Sequence, residues 1–392
     1  MNQRHSKISQ LSFAQFLFLA GLFTSPFLSI RVNSFTLSDY LLFGSFALTI
    51  FQFKKRPWGL RITAPYVLTV GFFLSLISLF SALINPDPVG SLLVASRFLF
   101  LTVLLPWTLI SNFNSPEHWH LPFVILRYGI LFFSLSVIYS AYGSGLAFSS
   151  LNRNYGLAEH PTDAGGFLAL GSVLWFCTLV QKSSLPKFLG FGLVIIGLLL
   201  TGSISAIIST LIGSAVALTL ILKTNPSSKS TFKFGVIVIF GIFLSYSNNV
   251  FNIKERLKNA TSGRYDTVAS RYQNYSESID AIFGDLPSLI FGNGLSQSQA
   301  IVQSQIAYSY APHNYILQLL FQGGLLFTLL VVIYQINALR NSWKSVPFVT
   351  IQLNSIMASQ VFFALTSPVM FSRYLWFPFV LASLIVKSTK TT

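Results

Sequence analysis

The sequence is poor in charge. Only 9% of its residues are Asp, Glu, Lys or Arg, whereas soluble domains carry about 25%. Hydrophobic residues make up 53% and the mean hydropathy is +0.65. This balance excludes an ordinary soluble domain and predicts an integral membrane protein, whose length is best counted in membrane spans.

Cysteine and acidic residues are also scarce. The single cysteine, Cys177, lies in an apolar run and can form no intramolecular disulfide. The net charge of +15 arises from 25 basic and 10 acidic residues. The basic residues lie mostly at the ends of apolar runs and form no patch on a folded module, which argues against nucleic-acid binding.

The apolar runs predict an all-α polytopic membrane protein with about 12 transmembrane helices, each needing roughly 20 apolar residues. The runs are too long and too uniform for the ten-residue strands of a β-barrel. No repeat or dividing linker interrupts them, so residues 1–392 form one predicted membrane domain. The predicted spans are about 11–30, 38–53, 63–84, 91–111, 122–143, 163–181, 188–202, 204–222, 234–247, 313–335, 346–366 and 369–387.

Charge asymmetry predicts the orientation. With a cytoplasmic N-terminus, the short outer loops contain only Arg31, Arg153 and Arg373, while most other lysines and arginines face the cytoplasm. An even number of spans then places both termini inside. The polar segment 248–312 becomes one large external loop, which the sequence predicts to be partly helical.

Two arginines fall within predicted spans, where charge is costly and functional roles are common. Arg97 lies toward the outer end of the fourth span, and function and interfacial anchoring are equally compatible with it. Arg127 lies near the cytoplasmic end of the fifth span, where reaching to the inner headgroups is the simpler interpretation.

The loop before the sixth span gathers Arg153, Glu159, His160 and Asp163. The spacing of the last three does not match a strong zinc signature, and such residues are common in solvated loops. The sequence therefore predicts no metal here. Arg153 is the better candidate, as a contact for an anion.

The external loop contains a predicted amphipathic helix with Arg264 and Arg271 two turns apart beside its apolar seam. Guanidinium groups suit phosphate oxygens, so this helix is a candidate anion site, although a solvated helix is the simpler alternative. The seam steps by four and three residues through Val268, Tyr272, Tyr275, Ile279 and Ile282.

Two short motifs close the loop. Gly292-Asn293-Gly294 predicts a tight turn. His313 follows Pro312 at the start of the tenth span, and the neighbouring Asn314 can satisfy free backbone donors. Histidine is the usual general base near neutral pH. The arginines predicted on the same side of the membrane make His313 a candidate catalyst rather than an interfacial residue.

The order of these motifs resembles the O-antigen ligase and Wzy-type O-antigen or exopolysaccharide polymerase family. The matching pieces span most of the chain. They are Arg97, Arg153-Asn154-Tyr155-Gly156, Arg271-x3-Tyr275, Gly292-Asn293-Gly294, His313-Asn314-Tyr315-Ile316-Leu317 and Gly323-Gly324.

Two positions depart from the family's pattern. Tyr275 stands where the family usually has tryptophan, a mild change at an aromatic position. The stretch Ser203-Ile204-Ser205-Ala206 lacks the arginine that the family often has at the start of the eighth span. One expected cationic contact is therefore missing or supplied elsewhere.

The resemblance implies a GT-C-like glycosyltransferase of the bacterial inner membrane with its active site at the periplasmic face. The donor would be an undecaprenyl-diphosphate-linked oligosaccharide, transferred with inversion and without metal or other cofactor. His313 would be the base, with Arg264, Arg271 and Arg97 as diphosphate ligands and Arg153 as a weaker candidate. A chain-length regulator protein is a further candidate partner.

Three alternatives stay open. A ligase that transfers the glycan to lipid A-core or protein shares the motifs and differs only in acceptor, and a polymerase is favoured because it is the more common activity. A lipid-linked glycan flippase would place ionisable residues along a path between both faces, and Arg127 gives it some support. A structural membrane scaffold would leave His313 replaceable.

Overall fold

The computed structural model describes residues 11–32, 35–53, 65–83, 88–113, 118–143, 154–181, 183–224, 267–295, 314–367, 369–370 and 372–384. For residues 53, 65–67, 81–83 and 267–274 it describes the backbone alone. The predicted helical fold class is confirmed over these residues, with one small addition. Strands β1 (Arg31–Val32) and β2 (Phe35–Thr36) pair antiparallel between the first two helices.

The remaining elements are helices that follow the apolar runs. The first group is α1 (Phe13–Thr24), α2 (Leu37–Phe53), α3 (Pro65–Leu83), α4 (Pro88–Leu99), α5 (Leu105–Phe113), α6 (Leu121–Gly143) and α7 (Pro161–Gln181). The second is α8 (Leu185–Leu200), α9 (Ile204–Thr224), α10 (Thr267–Phe283), α11 (Leu286–Phe291), α12 (Tyr315–Ser342), α13 (Pro347–Ala364) and α14 (Arg373–Leu381). A π-helical segment, Phe100–Leu104, joins α4 to α5.

A helix lies at every predicted span except 234–247, which falls outside the described residues. The predicted break between the seventh and eighth spans is confirmed, because α8 ends at Leu200 and α9 begins at Ile204. Among the described helices, five are long and apolar enough to cross a membrane. The chain is thus a multi-pass membrane protein, and the count of about 12 spans stays a prediction.

Helix α7 lies at the centre of the bundle. It packs against α6, α8, α9, α13 and α14, and 83% of its most apolar window is buried in protein. Small residues allow this close packing, as is usual between membrane helices. A Cβ atom at Gly166 would lie 2.4 Å from the ring of Tyr374, and one at Gly171 would lie 2.3 Å from Ile130.

Two spans depart from regular α-helix. The π-helical segment precedes Pro106, whose missing N–H breaks the regular hydrogen-bond ladder. In α12, Gly324 has φ 71° and ψ −174°, which kinks the helix. Only glycine adopts such a conformation readily, so this kink is built into the sequence.

Candidate active site

Helix α12 begins at the motif residue Asn314. The Asn314 side chain is its N-cap, and Oδ1 accepts hydrogen bonds from the amides of Ile316 (3.0 Å) and Leu317 (3.2 Å). The predicted role of Asn314 is therefore confirmed. His313, the preceding residue, lies outside the described residues, as do Arg264 and Arg153. The backbone of Arg271 lies in α10.

The Gly292-Asn293-Gly294 turn packs against the kink in α12. The predicted tight turn is confirmed, since Gly292 has φ 79° and Gly294 has φ 116°. The amide of Asn293 donates to the carbonyl of Phe321 at 2.8 Å, and that of Gly294 donates to the carbonyl of Gln322 at 3.0 Å. A kink frees such carbonyls from the helix ladder, and the turn supplies their missing donors.

This contact needs glycine on both sides. A Cβ atom at Gly292 would lie 2.5 Å from the nitrogen of Gly324, and one at Gly324 would lie 2.4 Å from the nitrogen of Gly292. The two glycine motifs, which the sequence shows as separate signals, therefore form one backbone-to-backbone contact. It fixes the last described part of the external loop to α12.

Helices α10 and α11 also pack against α12. Asp285 caps α11 by accepting a hydrogen bond from the amide of Ser288 at 2.6 Å, and this bond holds the pKa of the Asp285 carboxyl below its usual range. The arrangement places the helix that contains Arg271 against the helix that starts directly after His313.

The predicted apolar seam of α10 is only partly correct. Ile282 is buried, but Ile279 is 42% exposed, and the small Ser278 is buried in its place. A serine allows closer approach to the neighbouring helices than isoleucine does, so the packed face rotates toward it. The side chains of Val268 and Tyr272 lie outside the described residues.

The start of α14 is tied to the first turns of α12. Gln318, one turn after Asn314, accepts a hydrogen bond from the amide of Met370 through Oε1 at 3.3 Å. The indole of Trp376 donates to the carbonyl of Met370 at 2.8 Å. The α13–α14 turn therefore lies beside the beginning of α12, where the sequence places its candidate catalyst.

Arg373, at the start of α14, joins this region to the first outer hairpin. Its Nη2 forms an ion pair with Asp39 and donates to Thr36 Oγ1 at 2.8 Å. Its Nη1 is buried and has no hydrogen-bond partner in the described part of the chain. No sequence motif distinguishes Arg373 from the two other arginines of the short outer loops, so only its contacts identify it.

Arg97 is the predicted site residue whose side chain the structure describes. It is exposed on α4 and has no ion pair or hydrogen bond within the described ranges. The next residue, Phe98, is buried and packs edge-on against Trp376, with ring centroids 5.5 Å apart. This ring contact brings the segment of Arg97 next to the segment of Arg373.

The Glu159-His160-Asp163 cluster has other partners. Glu159 forms an ion pair with Arg31. Asp163 accepts a hydrogen bond from the hydroxyl of Tyr374 at 3.3 Å. His160 Nδ1 accepts one from the amide of Thr162 at 3.2 Å. These contacts join segments that the sequence predicts to be external, and they engage both carboxylates.

The segment after Arg153 is packed against two span ends. The amide of Asn154 donates to the carbonyl of Leu200 at the end of α8, at 3.2 Å. Gly156 has φ 54°, and a Cβ atom there would lie 2.7 Å from the amide nitrogen of Val137. The glycine of this motif therefore permits close approach of the loop to α6.

Arg127 contacts aromatic side chains of the helix bundle. Its guanidinium lies over the indole of Trp175, 4.7 Å from the ring centroid, and 5.4 Å from that of Tyr128. The indole in turn donates to the Arg127 carbonyl at 3.3 Å. Cation–π contact with these rings gives the charge partners within the protein, and its position at the inner headgroups stays a prediction.

The chain matches one family model, described as O-antigen ligase (Wzy_C), over residues 189–332. No curated protein matches it. The matched stretch runs from α8 into α12 and includes Arg264, Arg271, His313 and both glycine motifs. Over this stretch the multi-pass membrane protein is similar to the O-antigen ligase family, whose members are glycosyltransferase-type enzymes that act in polysaccharide biosynthesis on lipid-linked glycans.

Proposed function

We propose that this protein polymerises O-antigen or exopolysaccharide repeat units from an undecaprenyl-diphosphate-linked donor at the periplasmic face of the bacterial inner membrane. The observation that carries the proposal is the contact between the Gly292–Gly294 turn and the Gly324 kink. It lies inside the family match and fixes the helix of Arg271 to the helix that His313 precedes.

The proposed reaction is a single inverting displacement. A hydroxyl oxygen of the acceptor sugar attacks the anomeric carbon of the donor as the bond from that carbon to the phosphate oxygen breaks. Undecaprenyl diphosphate leaves with the bonding electron pair, and His313 takes the hydroxyl proton. Such base catalysis contributes roughly 10²–10⁴ in rate.

Arg264, Arg271 and Arg97 are the proposed ligands of the donor diphosphate, with Arg153 as a weaker candidate. Guanidinium groups stabilise the charge that develops on the leaving group without a metal ion.

The ligase alternative shares every motif with the polymerase, and only the acceptor distinguishes the two reactions. The flippase alternative draws its support from Arg127, a charged residue near the predicted cytoplasmic end of the fifth span. Its stacking on Trp175 uses that charge within the bundle, which favours an enzyme with its cations at one face.

The test is glycan synthesis by purified protein from lipid-diphosphate-linked repeat units in the presence of EDTA. We expect longer lipid-linked chains from the wild type and none from a folded His313→Ala variant. His160→Ala, another histidine of the predicted outer face, is the matched control and keeps activity.

Each other outcome decides against part of the proposal. Product only when lipid A-core is added identifies a ligase. No product with either acceptor contradicts glycan transfer by this protein alone. Full activity of His313→Ala removes His313 as the base and directs attention to the loop at 153–163.

A further inference from the structure

Among the described residues, only part of the Arg373 guanidinium has hydrogen-bond partners. We propose that the rest of this group binds a phosphate of the lipid-linked donor together with Arg97, which makes Arg373 a further donor-binding residue. The inference rests on the proposed function, since it concerns the donor of the same reaction. It names a position outside the matched residues 189–332.

The first support is the way in which Arg373 is held. Asp39 and Thr36 both engage Nη2, and Asp39 is itself fixed by the amide and hydroxyl of Thr36, at 2.8 Å and 2.9 Å. This network presents the planar guanidinium in one orientation. Nη1 remains buried and without an acceptor in the described residues, although buried donors in native proteins are almost always paired.

The second support is the position of Arg97. Phe98, which follows Arg97, packs against Trp376 one turn after Arg373, and also against Phe327 at 5.0 Å. The two arginines thus flank one aromatic contact between α4, α12 and α14. Both side chains are cations, and an anion that accepts hydrogen bonds from both would be bound by two guanidinium groups.

The third support is the distance to the reaction centre along the fold. Met370, three residues before Arg373, is bound by Gln318 of α12. Gln318 lies one turn after Asn314, the cap that directly follows His313. The beginning of α14, which contains Arg373, therefore lies beside the end of α12 that follows the proposed base in sequence.

A purely structural latch would not explain these features. The link between α14 and the β2–α2 segment uses Nη2 alone, and lysine could supply it. Arginine adds a second donor edge that matches phosphate oxygens in a two-pronged geometry. Phosphate groups in this setting come from the donor diphosphate or from phospholipid headgroups, and the experiment separates them.

The experiment measures binding of undecaprenyl diphosphate to the full chain in nanodiscs, with phosphatidylglycerol as the competing phosphate source. Arg373→Lys keeps the charge and loses the second edge, so we expect affinity for undecaprenyl diphosphate to fall about tenfold, the size of one charge-assisted hydrogen bond. Arg340→Lys, an exposed arginine in the last turn of α12, is the matched control and binds as the wild type does.

Asp39→Asn separates ligand binding from a latch. Asparagine keeps an oxygen that accepts from Nη2 and so keeps the orientation of Arg373, but it removes a negative charge that competes with the phosphate. Affinity is therefore kept or increased, whereas a latch predicts a loss in both variants. If Arg373→Lys fails to fold, a loss of affinity in the folded Asp39→Asn variant is enough to contradict the inference.

Three results would overturn the inference. The first is wild-type affinity for undecaprenyl diphosphate in Arg373→Lys, and the second is an equal loss of that affinity in Arg373→Lys and Asp39→Asn. The third is a loss of phosphatidylglycerol binding in Arg373→Lys that equals its loss of undecaprenyl diphosphate binding, which would identify a headgroup site. A wild-type protein that does not bind undecaprenyl diphosphate contradicts the proposed function itself. Normal wild-type binding with an unaffected Arg373→Lys contradicts only the inference.

Discussion

Arginine occurs in three different settings among the residues considered above. Arg97 is exposed on α4, Arg127 lies over an indole ring, and Arg373 pairs with a carboxylate far away in sequence. The residue type is the same in each case, and the neighbours decide its role. Charge at membrane depth therefore identifies candidate positions, and the packing around each residue decides its function.

Arg127 provides the test at this scale. Because its guanidinium interacts with Trp175, Arg127→Gln should lower the free energy of unfolding by about 0.5–2 kcal/mol and leave glycan synthesis unchanged. Thermal unfolding in detergent and the synthesis assay measure the two effects. A stable Arg127→Gln protein without activity would instead favour a functional path through the bundle and revive the transport alternative.

At the scale of elements, the kink in α12 is the feature that organises the proposed site. A straight helix would bond the carbonyls of Phe321 and Gln322 internally, and the external turn would have nothing to bind. The kink exposes them to the amides of Asn293 and Gly294. One helix irregularity thereby fixes the position of a loop that belongs to a distant part of the sequence.

Gly324→Ala tests this contact. A non-glycine residue in that conformation costs about 1–3 kcal/mol, and the added Cβ would also overlap the backbone of Ile290 and Gly292. We expect loss of glycan synthesis and a lower unfolding midpoint. Gly192→Ala, a helical glycine with open space around its Cβ position, is the control and should be neutral or slightly stabilising.

An active Gly324→Ala protein with wild-type stability would contradict the importance of the kink. Loss of stability with retained activity per folded molecule would show that the contact serves folding alone. The control in α8 guards against a general effect of added methyl groups, because both glycines lie within the matched residues.

At the scale of the whole molecule, contacts connect loops that the charge pattern assigns to one side. Arg31 meets Glu159, and Asp39 meets Arg373, although each pair is far apart in sequence. Such pairs are possible only if the intervening helices return the chain to the same end of the bundle. The described contacts thus support placing these loops at one end of the bundle, and which end faces outward stays a prediction.

Cysteine labelling measures that orientation. Cys177 is buried and can be replaced by alanine to give a cysteine-free background. In that background, Tyr155→Cys should react with a membrane-impermeant maleimide in intact spheroplasts, and Ser184→Cys only after lysis, since both positions are exposed. The reverse pattern would invert the topology and move the proposed site to the cytoplasm.

Several features followed from local sequence and were confirmed. The helices at the apolar runs, the turn at Gly292–Gly294 and the cap at Asn314 depend on hydrophobicity, glycine conformation and a short side chain that bonds nearby amides. The exact packed face of α10 was wrong at Ile279, because the fit against neighbouring helices, and not periodicity alone, selects the buried residues.

The sequence by itself determined the membrane class, the position of most helices and the motif order that resembles the family. These properties arise from apolar content and from interactions within a few residues, which neighbours in the chain settle. Only the tertiary structure joined Gly292 to Gly324 and Arg373 to Asp39. Such pairings depend on how distant helices pack, and helix packing in a membrane is set by close steric fit, which no local pattern encodes.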